Sequence, residues 1–517
     1  MKKYLVIFVM SICFSFLLFP RTKEPENLQL SLMDCILTVL KDNLEIAVLA
    51  YDPEIAEFTI KQAQDIYWPK LNFGYSNYNY NYLTNWAVQG TNYVDKTLRY
   101  DIGVRQKIIT GGEIELSLLT QSSNTTRALT IINPNYRGEL SFNFTQPILK
   151  GFGPKINMID ITKAKNLRDI SVIGLKSNLV QKVYEVEEVY WNLVYALENL
   201  KVYEMTLRQN LERLDQVKEA ERVGVKSSLE VLRTETEVAN YENSVLAGQT
   251  QVEMFQDRMK SLLNFPTETE VLKSIIPTER PILEKVDISF EDALKTAYAE
   301  SPEMERYQKE IENTKLEVAF QKNQLLPQLD LRASLWFPGQ SGDILVFKDN
   351  NPYTGIVVDR IKGGRMDSFR DVFDFKYKNW YVTLNLTVPF ETLFSRSNLA
   401  KAKLEEEKKL MEREKIEKEI YYNIREAYKE LKNREKQIET AAKYRELTEK
   451  RMRAEEERYN LGLVGNEWLF QYQRDLAQAR VSEIKALIDY KIAIAKLERV
   501  MGVNLKNKNL KYKQIVF

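Results

Sequence analysis

The chain has 517 residues with only 15 Pro and 19 Gly, too long for one compact core of ordinary type and too sparsely punctuated for short elements. Its 74 basic and 73 acidic residues nearly cancel, which removes the electrostatic footprint of a nucleic-acid binder. The lack of histidine excludes Ser-His-Asp and Cys-His nucleophile systems and disfavours a zinc site, and the only phosphate-loop candidate is a lone "GFG" at 151–153, so neither an enzyme nor a cofactor is expected.

The chain opens with Lys2 and Lys3, runs apolar from Tyr4 to Phe19 with Ser11 and Ser15 as hydroxyl interruptions, and turns at Pro20-Arg21. Residues 1–20 read as a secretory signal, since these 16 apolar residues fall short of the roughly 20 that span a bilayer. The two cysteines, Cys13 and Cys35, make no framework, and no disulfide is expected in the mature chain.

A first repeat, 28–264, begins with a helix of some 37 residues ending before Pro69. The stretch "SNYNYNYL" (76–83) then sets Tyr78, Tyr80 and Tyr82 against Asn77, Asn79 and Asn81, the alternation of a β-strand with one aromatic and one amide face. Three environments fit it: a low-complexity tract, a soluble surface strand, or a membrane barrel strand. Four strands are expected near 71–82, 97–109, 112–122 and 138–146, with "TGG" (110–112) as a tight turn and Leu140, Phe142 and Phe144 alternating with Ser141, Asn143 and Thr145 before Pro147. A helix from Lys155 to Arg222 follows, interrupted only by Gly174, then the turn "RVGVKSS" (222–228) and a returning helix of about 36 residues.

After a linker, 265–287, the second repeat, 288–502, matches the first at an offset of 258, which sets Asp292 on Asp34, Glu303 on Glu45, Pro327 on Pro69 and Leu329 on Leu71. Its alternating strand from Trp380 carries Val382, Leu384 and Leu386 against Thr383, Asn385 and Thr387 and ends at Pro389. From Arg396 to Asn460 there are 65 residues without Gly or Pro, a rod of roughly 100 Å as a helix. The turn "YNLGLVGNE" (459–467), another returning helix and a tail, 503–517, complete the chain. Each returning helix, stacked on the 37-residue helix of a repeat, would match the descending rod in length. Rods alone would suit a soluble or surface coiled-coil protein of structural or adhesive function. Amphipathic strands interleaved twice at matching positions count against it.

The twofold repeat, "YWPKL" and "LLPQL" before the strands, "QPILKGFG" after them and "RYNLGLVGNEWLF…LAQAR" at the second turn resemble the outer-membrane efflux protein family, the TolC-like exit ducts of tripartite pumps and type I secretion systems. The resemblance implies a mostly α fold with a transmembrane β-barrel: a homotrimer whose helical hairpins form a periplasmic tunnel and whose strands share one barrel in outer-membrane lipid. Its partners would be a periplasmic adaptor (membrane fusion) protein and an inner-membrane pump that supplies the energy. It also implies that Tyr78, Tyr80 and Tyr82, with Trp380, form an aromatic girdle at the lipid headgroups, while Asn77, Asn79 and Asn81 face the pore. Twelve strands per trimer are expected, with the extra hairpin of the first repeat outside the wall; eighteen is the alternative. The short apolar residues of the two turns, Val223, Gly224 and Val225 and then Leu461, Gly462, Leu463 and Val464, are expected to dock the adaptor. Tyr459 matches a gate latch whose hydroxyl would reach Glu230 or Glu467, with Arg233 close by; Trp468 and Gln471, where acids would be usual, leave an acidic ring open.

Overall fold

The computed structural model describes residues 27–83, 92–127, 129–265, 273–388, 392–461 and 463–510. The apolar leader with Cys13, Pro389 and Gly462 lie outside the described residues. Strand β1 (Leu28–Leu30) leads into α1 (Leu32–Asp42) and α2 (Leu44–Gln64), followed by β2 (Lys70–Leu83), β3 (Asn92–Lys107), β4 (Glu113–Thr125) and β5 (Ile132–Pro147). Then come the short α3 (Pro154–Asn157), the 64-residue α4 (Ile159–Arg222) and the 36-residue α5 (Ser228–Leu263). The second half runs β6 (Ile275–Pro277), α6 (Phe290–Glu300), α7 (Pro302–Gln324), β7 (Gln328–Phe347), β8 (Val357–Ile361), α8 (Arg365–Phe373) and β9 (Asn379–Thr387). It closes with the 69-residue α9 (Thr392–Asn460), the 36-residue α10 (Asn466–Met501) and α11 (Asn504–Asn507). The chain divides into two compact units, one of residues up to 47, 178–300 and from 422 on, the other of 48–177 and 301–421.

Helices α1 and α6 start alike. Ser31 Oγ accepts from the Asp34 amide at 3.1 Å while the Asp34 carboxylate accepts from the Ser31 amide at 3.1 Å, and 258 positions on, Ser289 Oγ accepts from the Asp292 amide at 3.0 Å. The single helix of some 37 residues expected in each half is not formed; it breaks at Asn43 in one and Ser301 in the other. Asn43 turns extended (φ −72°, ψ 123°) and its Oδ1 accepts from the Glu45 and Ile46 amides at 3.0 and 3.3 Å, so it caps a new helix. Ser301 is extended because the ring of Pro302 crowds the helical conformation of the residue before it, and Ser301 Oγ then accepts from the Met304 amide.

In the first unit the buried residues of α5, Val231, Thr234, Val238, Tyr241, Gly248, Val252, Met259 and Leu263, fall on steps of three, four and seven, the seam of a left-handed coiled coil. Leu179, Val183, Val186, Tyr190 and Leu193 keep the same steps on α4 and are fully buried. Near the turn, Leu214 and Val217 of α4 close on Val231 and Val238 of α5. Tyr190 donates to the Leu30 carbonyl at 3.3 Å and accepts from the Glu279 amide at 3.2 Å, while Tyr490 donates to the Glu284 carbonyl at 3.1 Å and accepts from the Val286 amide at 3.2 Å. Burial pushes the Tyr190 phenol up to about 12, so it stays a neutral donor that pins the chain beside β1. Burial likewise pushes the thiol of Cys35, a free cysteine, up to about 12.

The second unit carries an antiparallel sheet in the order β2-β3-β4-β5-β7, and the 20-residue β7 also pairs with β9 along its first half and with β8 at its end. Gly111, at φ 95°, makes the β3–β4 turn, with its amide donating to the Ile108 carbonyl at 2.9 Å. The sequence set one hairpin of the first repeat apart from the other strands; here all four strands join one sheet, with this hairpin inside it. The reason lies in its side chains: Ile102 and Val104 on β3 and Ile114, Leu116 and Leu118 on β4 continue, pair by pair, the apolar rows of β2 and β5. Six strands, β2 to β5 with β7 and β9, thus form one ribbon, and among the described residues the outer edges of β2 and β9 are unpaired.

Candidate channel wall and hairpin tips

The ribbon has two chemically opposite faces. Following the pairing from β9 to β2, one row reads Trp380, Leu335, Phe142, Leu116, Val104, Leu71 and the next Phe337, Leu140, Leu118, Ile102, Phe73. Large apolar side chains on this face stand open: Leu71 is 69% exposed, Phe73 71% and Leu384 61%. The other face is polar. Arg105 reaches Glu113 and Glu115 at 3.4 and 3.3 Å, Arg99 reaches Asp101 at 3.2 Å and Arg137 reaches Glu139 at 3.1 Å. On the same face Ser334 donates to Asn143 Oδ1 at 2.7 Å. No helix among the described residues is long and apolar enough to cross a membrane.

The tyrosines of "SNYNYNYL", expected at the lipid headgroups, lie on the face opposite the apolar rows. β2 pairs with β3 without a bulge from Lys70↔Arg105 to Leu83↔Asn92, so the face that carries Leu71, Phe73 and Tyr75 continues into Asn77, Asn79 and Asn81. Tyr78, Tyr80 and Tyr82 share the face of Arg99, Asp101 and Arg105, while Trp380 does lie in the apolar row. Their rings form a ladder, with centroids 5.8 Å apart from Tyr78 to Tyr80, 6.0 Å from Tyr80 to Tyr82 and 4.7 Å from Tyr82 to Tyr93. Strict alternation fixes relative parity, and an aromatic run in the opposite parity to the apolar run before it belongs to the opposite face. The apolar rows end instead at Tyr75, Tyr100 and Tyr136, one or two rows above Phe73, with the Tyr75 and Tyr100 rings 5.4 Å apart.

At the first hairpin turn α4 ends with Gly224 at φ 77° and the Val225 amide donating back to the Ala220 carbonyl at 2.8 Å. The second turn has the same five-residue reach, from the Leu463 amide to the Arg458 carbonyl at 2.9 Å. Val223, Val225, Leu461 and Leu463 are exposed at these turns. Tyr459 packs beside Met452, Leu469 and Tyr472, and two cations, the Arg213 guanidinium and the Lys226 ammonium, each stand 5.4 Å from the centre of its ring. Burial draws Arg213 below the usual guanidinium range. The acids expected to hold Tyr459 are engaged elsewhere: Arg233 Nη1 lies 3.8 Å from Glu230 Oε1 and 3.4 Å from Glu467 Oε2. Trp468 stacks on Tyr472, ring centres 6.4 Å apart, and Arg451 covers Tyr472 at 4.3 Å.

The family model described as outer membrane efflux protein matches residues 293–503. These residues, about two fifths of the chain, are similar to that family. Solved structures extend the likeness over nearly the whole chain and show the fold. The CmeC outer membrane channel of Campylobacter jejuni is 16% identical with a TM-score of 0.62, covering 92% of this chain and 89% of that one. VceC, an outer membrane protein of Vibrio cholerae, is 12% identical with a TM-score of 0.62, covering 91% and 96%. The open-state MtrE outer membrane channel of Neisseria gonorrhoeae is 14% identical with a TM-score of 0.60, covering 91% and 88%. No curated protein matches by sequence.

Within this efflux-protein fold, reading the sequence alone missed α8. Its nine residues, opened by Gly364 whose amide donates to Asp367 Oδ2 at 2.9 Å, pack on the apolar face over Gly138 and Gly339, which are paired across β5 and β7. A Cβ at 339 would stand 2.0 Å from the Ser368 carbonyl oxygen and one at 138 would stand 3.0 Å from Val372, so two glycines make the seat. A paired glycine row among large apolar rows was the available signal.

Proposed function

We propose that the protein is a passive outer-membrane exit duct of a tripartite efflux pump or type I secretion system, carrying substrates from the periplasm and an inner-membrane pump to the exterior. The observation that carries this is the sheet with one exposed apolar face and one charged face, in a chain whose residues 293–503 match the outer membrane efflux protein family. The apolar face would meet lipid and the charged face would line water, with the tyrosine ladder in the lumen. Six strands are too few to close a barrel, and the even number sets β9 of one copy antiparallel to β2 of the next. Three copies would close eighteen strands, a size that leaves an aqueous channel, instead of the twelve expected from the sequence. The caps repeated 258 positions apart support the twofold repeat. A soluble coiled-coil protein would leave the apolar rows in water. Fractionation should place the protein in the outer membrane, and sizing in detergent should give a trimer; a soluble monomer would end the reading.

The hairpin turns are the adaptor-docking tips, and Tyr459 with Arg213 holds the resting entrance closed. A cation over a ring contributes about 0.5 to 2 kcal/mol, a bias an adaptor could overcome. Arg213→Gln should raise open probability in planar bilayers without loss of trimer, and Val223→Asp with Val225→Asp should abolish export while the closed conductance stays at the wild-type level. Unchanged opening in the first variant would place the latch elsewhere, and normal export in the second would show that the tips touch nothing.

A further inference from the structure

We propose that α8 lies in the headgroup region of the outer leaflet and holds one lipid there, with its phosphate on Arg365 and Arg370 and an acyl chain in the groove between the helix and β4. The inference rests on the barrel reading for which face meets lipid.

Depth comes from the pairing ladder. The row through Gly339 and Gly138 continues across Thr120, Tyr100 and Tyr75, and the next row mixes Ser341, Ser122 and Asn77 with Tyr136 and Leu98, so α8 is seated where the apolar rows give way to mixed ones rich in tyrosine and small polar side chains. On a bilayer-spanning wall that level is the interface, where aromatic rings collect and amphipathic helices lie flat. The side of α8 that faces the sheet is Ser368 and Val372, both fully buried. The side that faces away carries Met366, 73% exposed, and Phe373, 55% exposed. Together with Leu118, Phe369 and the stem of Arg370 they line an open groove of about 460 Å³. Left in water, this groove would add to the exposed apolar surface without a fold role.

Charge gives the groove its occupant. The Arg365 guanidinium lies over the rings of Tyr100 and Tyr136, at 5.9 and 5.7 Å, and no ion pair joins it to a carboxylate among the described residues. Arg370 sits at the groove with Asp367 at 3.7 Å as a distant partner. One guanidinium lining an apolar slot continuous with the lipid-facing rows, and a second on the same short helix over the tyrosines where those rows end, match the two ends of a phospholipid, a phosphate and an acyl chain.

The test uses the detergent-purified full protein reconstituted into vesicles of phosphatidylglycerol or phosphatidylcholine brominated on the acyl chains, which quench tryptophan on contact. Phe373→Trp should add emission quenched by the brominated lipid, more by phosphatidylglycerol than by phosphatidylcholine. Arg365→Gln and Arg370→Gln should each lower that preference about fivefold, the effect of one cation near a charged surface. Trp380, in the apolar row, is the internal reference, read as the loss of quenching in Trp380→Phe. If Trp380 is quenched and the new tryptophan is not, whether water or another protein covers the groove, the lipid site is overturned while the barrel stands. Both lipids carry a phosphate and only phosphatidylglycerol keeps its net charge, so equal quenching by the two, unchanged in Arg365→Gln and Arg370→Gln, overturns the role of the guanidinium groups, and no quenching of Trp380 overturns the barrel reading itself.

Discussion

Phe142→Arg is expected to keep the protein out of the outer membrane, whereas Ser141→Arg, one residue away, should leave insertion close to wild type. Phe142 lies in the middle of the apolar rows between Leu116 and Leu335, while Ser141 is on the charged face, where its hydroxyl is 2.7 Å from that of Ser117. On the reading proposed above, that arginine would stand on the lipid face near the bilayer midplane, where it costs about 2 to 4 kcal/mol in each of three copies. Loss of the Ser–Ser hydrogen bond costs only about 1 kcal/mol, and the new guanidinium would stand among the ion pairs of the charged face. The readout is the fraction of trimer recovered from outer-membrane vesicles. Equal recovery of the two variants would mean that the apolar face does not meet lipid.

The largest expected loss of stability is at the other unit, in Lys508→Met. Lys508 Nζ lies 2.7 Å from Glu187 Oε1 and 3.1 Å from Glu498 Oε2, and Glu187 is only 4% exposed. Burial pushes the Glu187 carboxyl above its usual range, with Lys508 pulling it back, and holds against Lys508, which its two acids raise. Removing the lysine leaves a buried carboxylate unpaired, a change that typically costs about 3 to 5 kcal/mol. The sign of the pH effect follows. Without Lys508 the folded-state pKa of Glu187 rises further above its unfolded value, so the variant is little affected below the ordinary glutamate range and loses stability as pH climbs through the raised value. Thermal or denaturant unfolding of Lys508→Met at pH 4 and pH 8 checks it, and Glu187→Gln added to Lys508→Met should recover most of the loss. Equal destabilisation at both pH values would mean that the lysine acts through its packed stem instead of its charge.

Periodicity carried most of the architecture in the sequence. Strands expected near 71–82 and 112–122 form at Lys70–Leu83 and Glu113–Thr125, and both turns end helices of the expected kind, because alternation and unbroken helix formers are local signals. What escaped was decided by chemistry at single positions or by pairing. Asn43 and Ser301-Pro302 break helices whose composition reads through them. The spacing sets Tyr78 in the opposite parity to Phe73, and aromatic alternation taken alone does not say which face of a strand is the apolar one. Pro338, Gly339 and Gly342 look like the end of a strand, but β7 runs through them, since Gly339 makes room for α8 and Gly342 for the Pro134 carbonyl. At the tip, the partner of Tyr459 could not be read from charge pattern alone: Glu230 and Glu467 lie nearer along the chain, and Arg213 reaches it from the neighbouring rod.

The unpaired edges of β2 and β9 bear on how a cell makes this protein. On the reading proposed here, a freshly exported copy is an open ribbon with a row of unmet amides and carbonyls on each side and a greasy face, the state from which strands join the wrong neighbour. A single-chain barrel can zip its own first and last strands whatever its abundance. This chain must meet two others first, so the yield of finished ducts should climb more steeply than in proportion to synthesis at low expression. At the other extreme, copies arriving faster than holding factors can shield them would be diverted into aggregates, which makes gene dosage, more than the stability of any one copy, the quantity that sets how many ducts a cell owns.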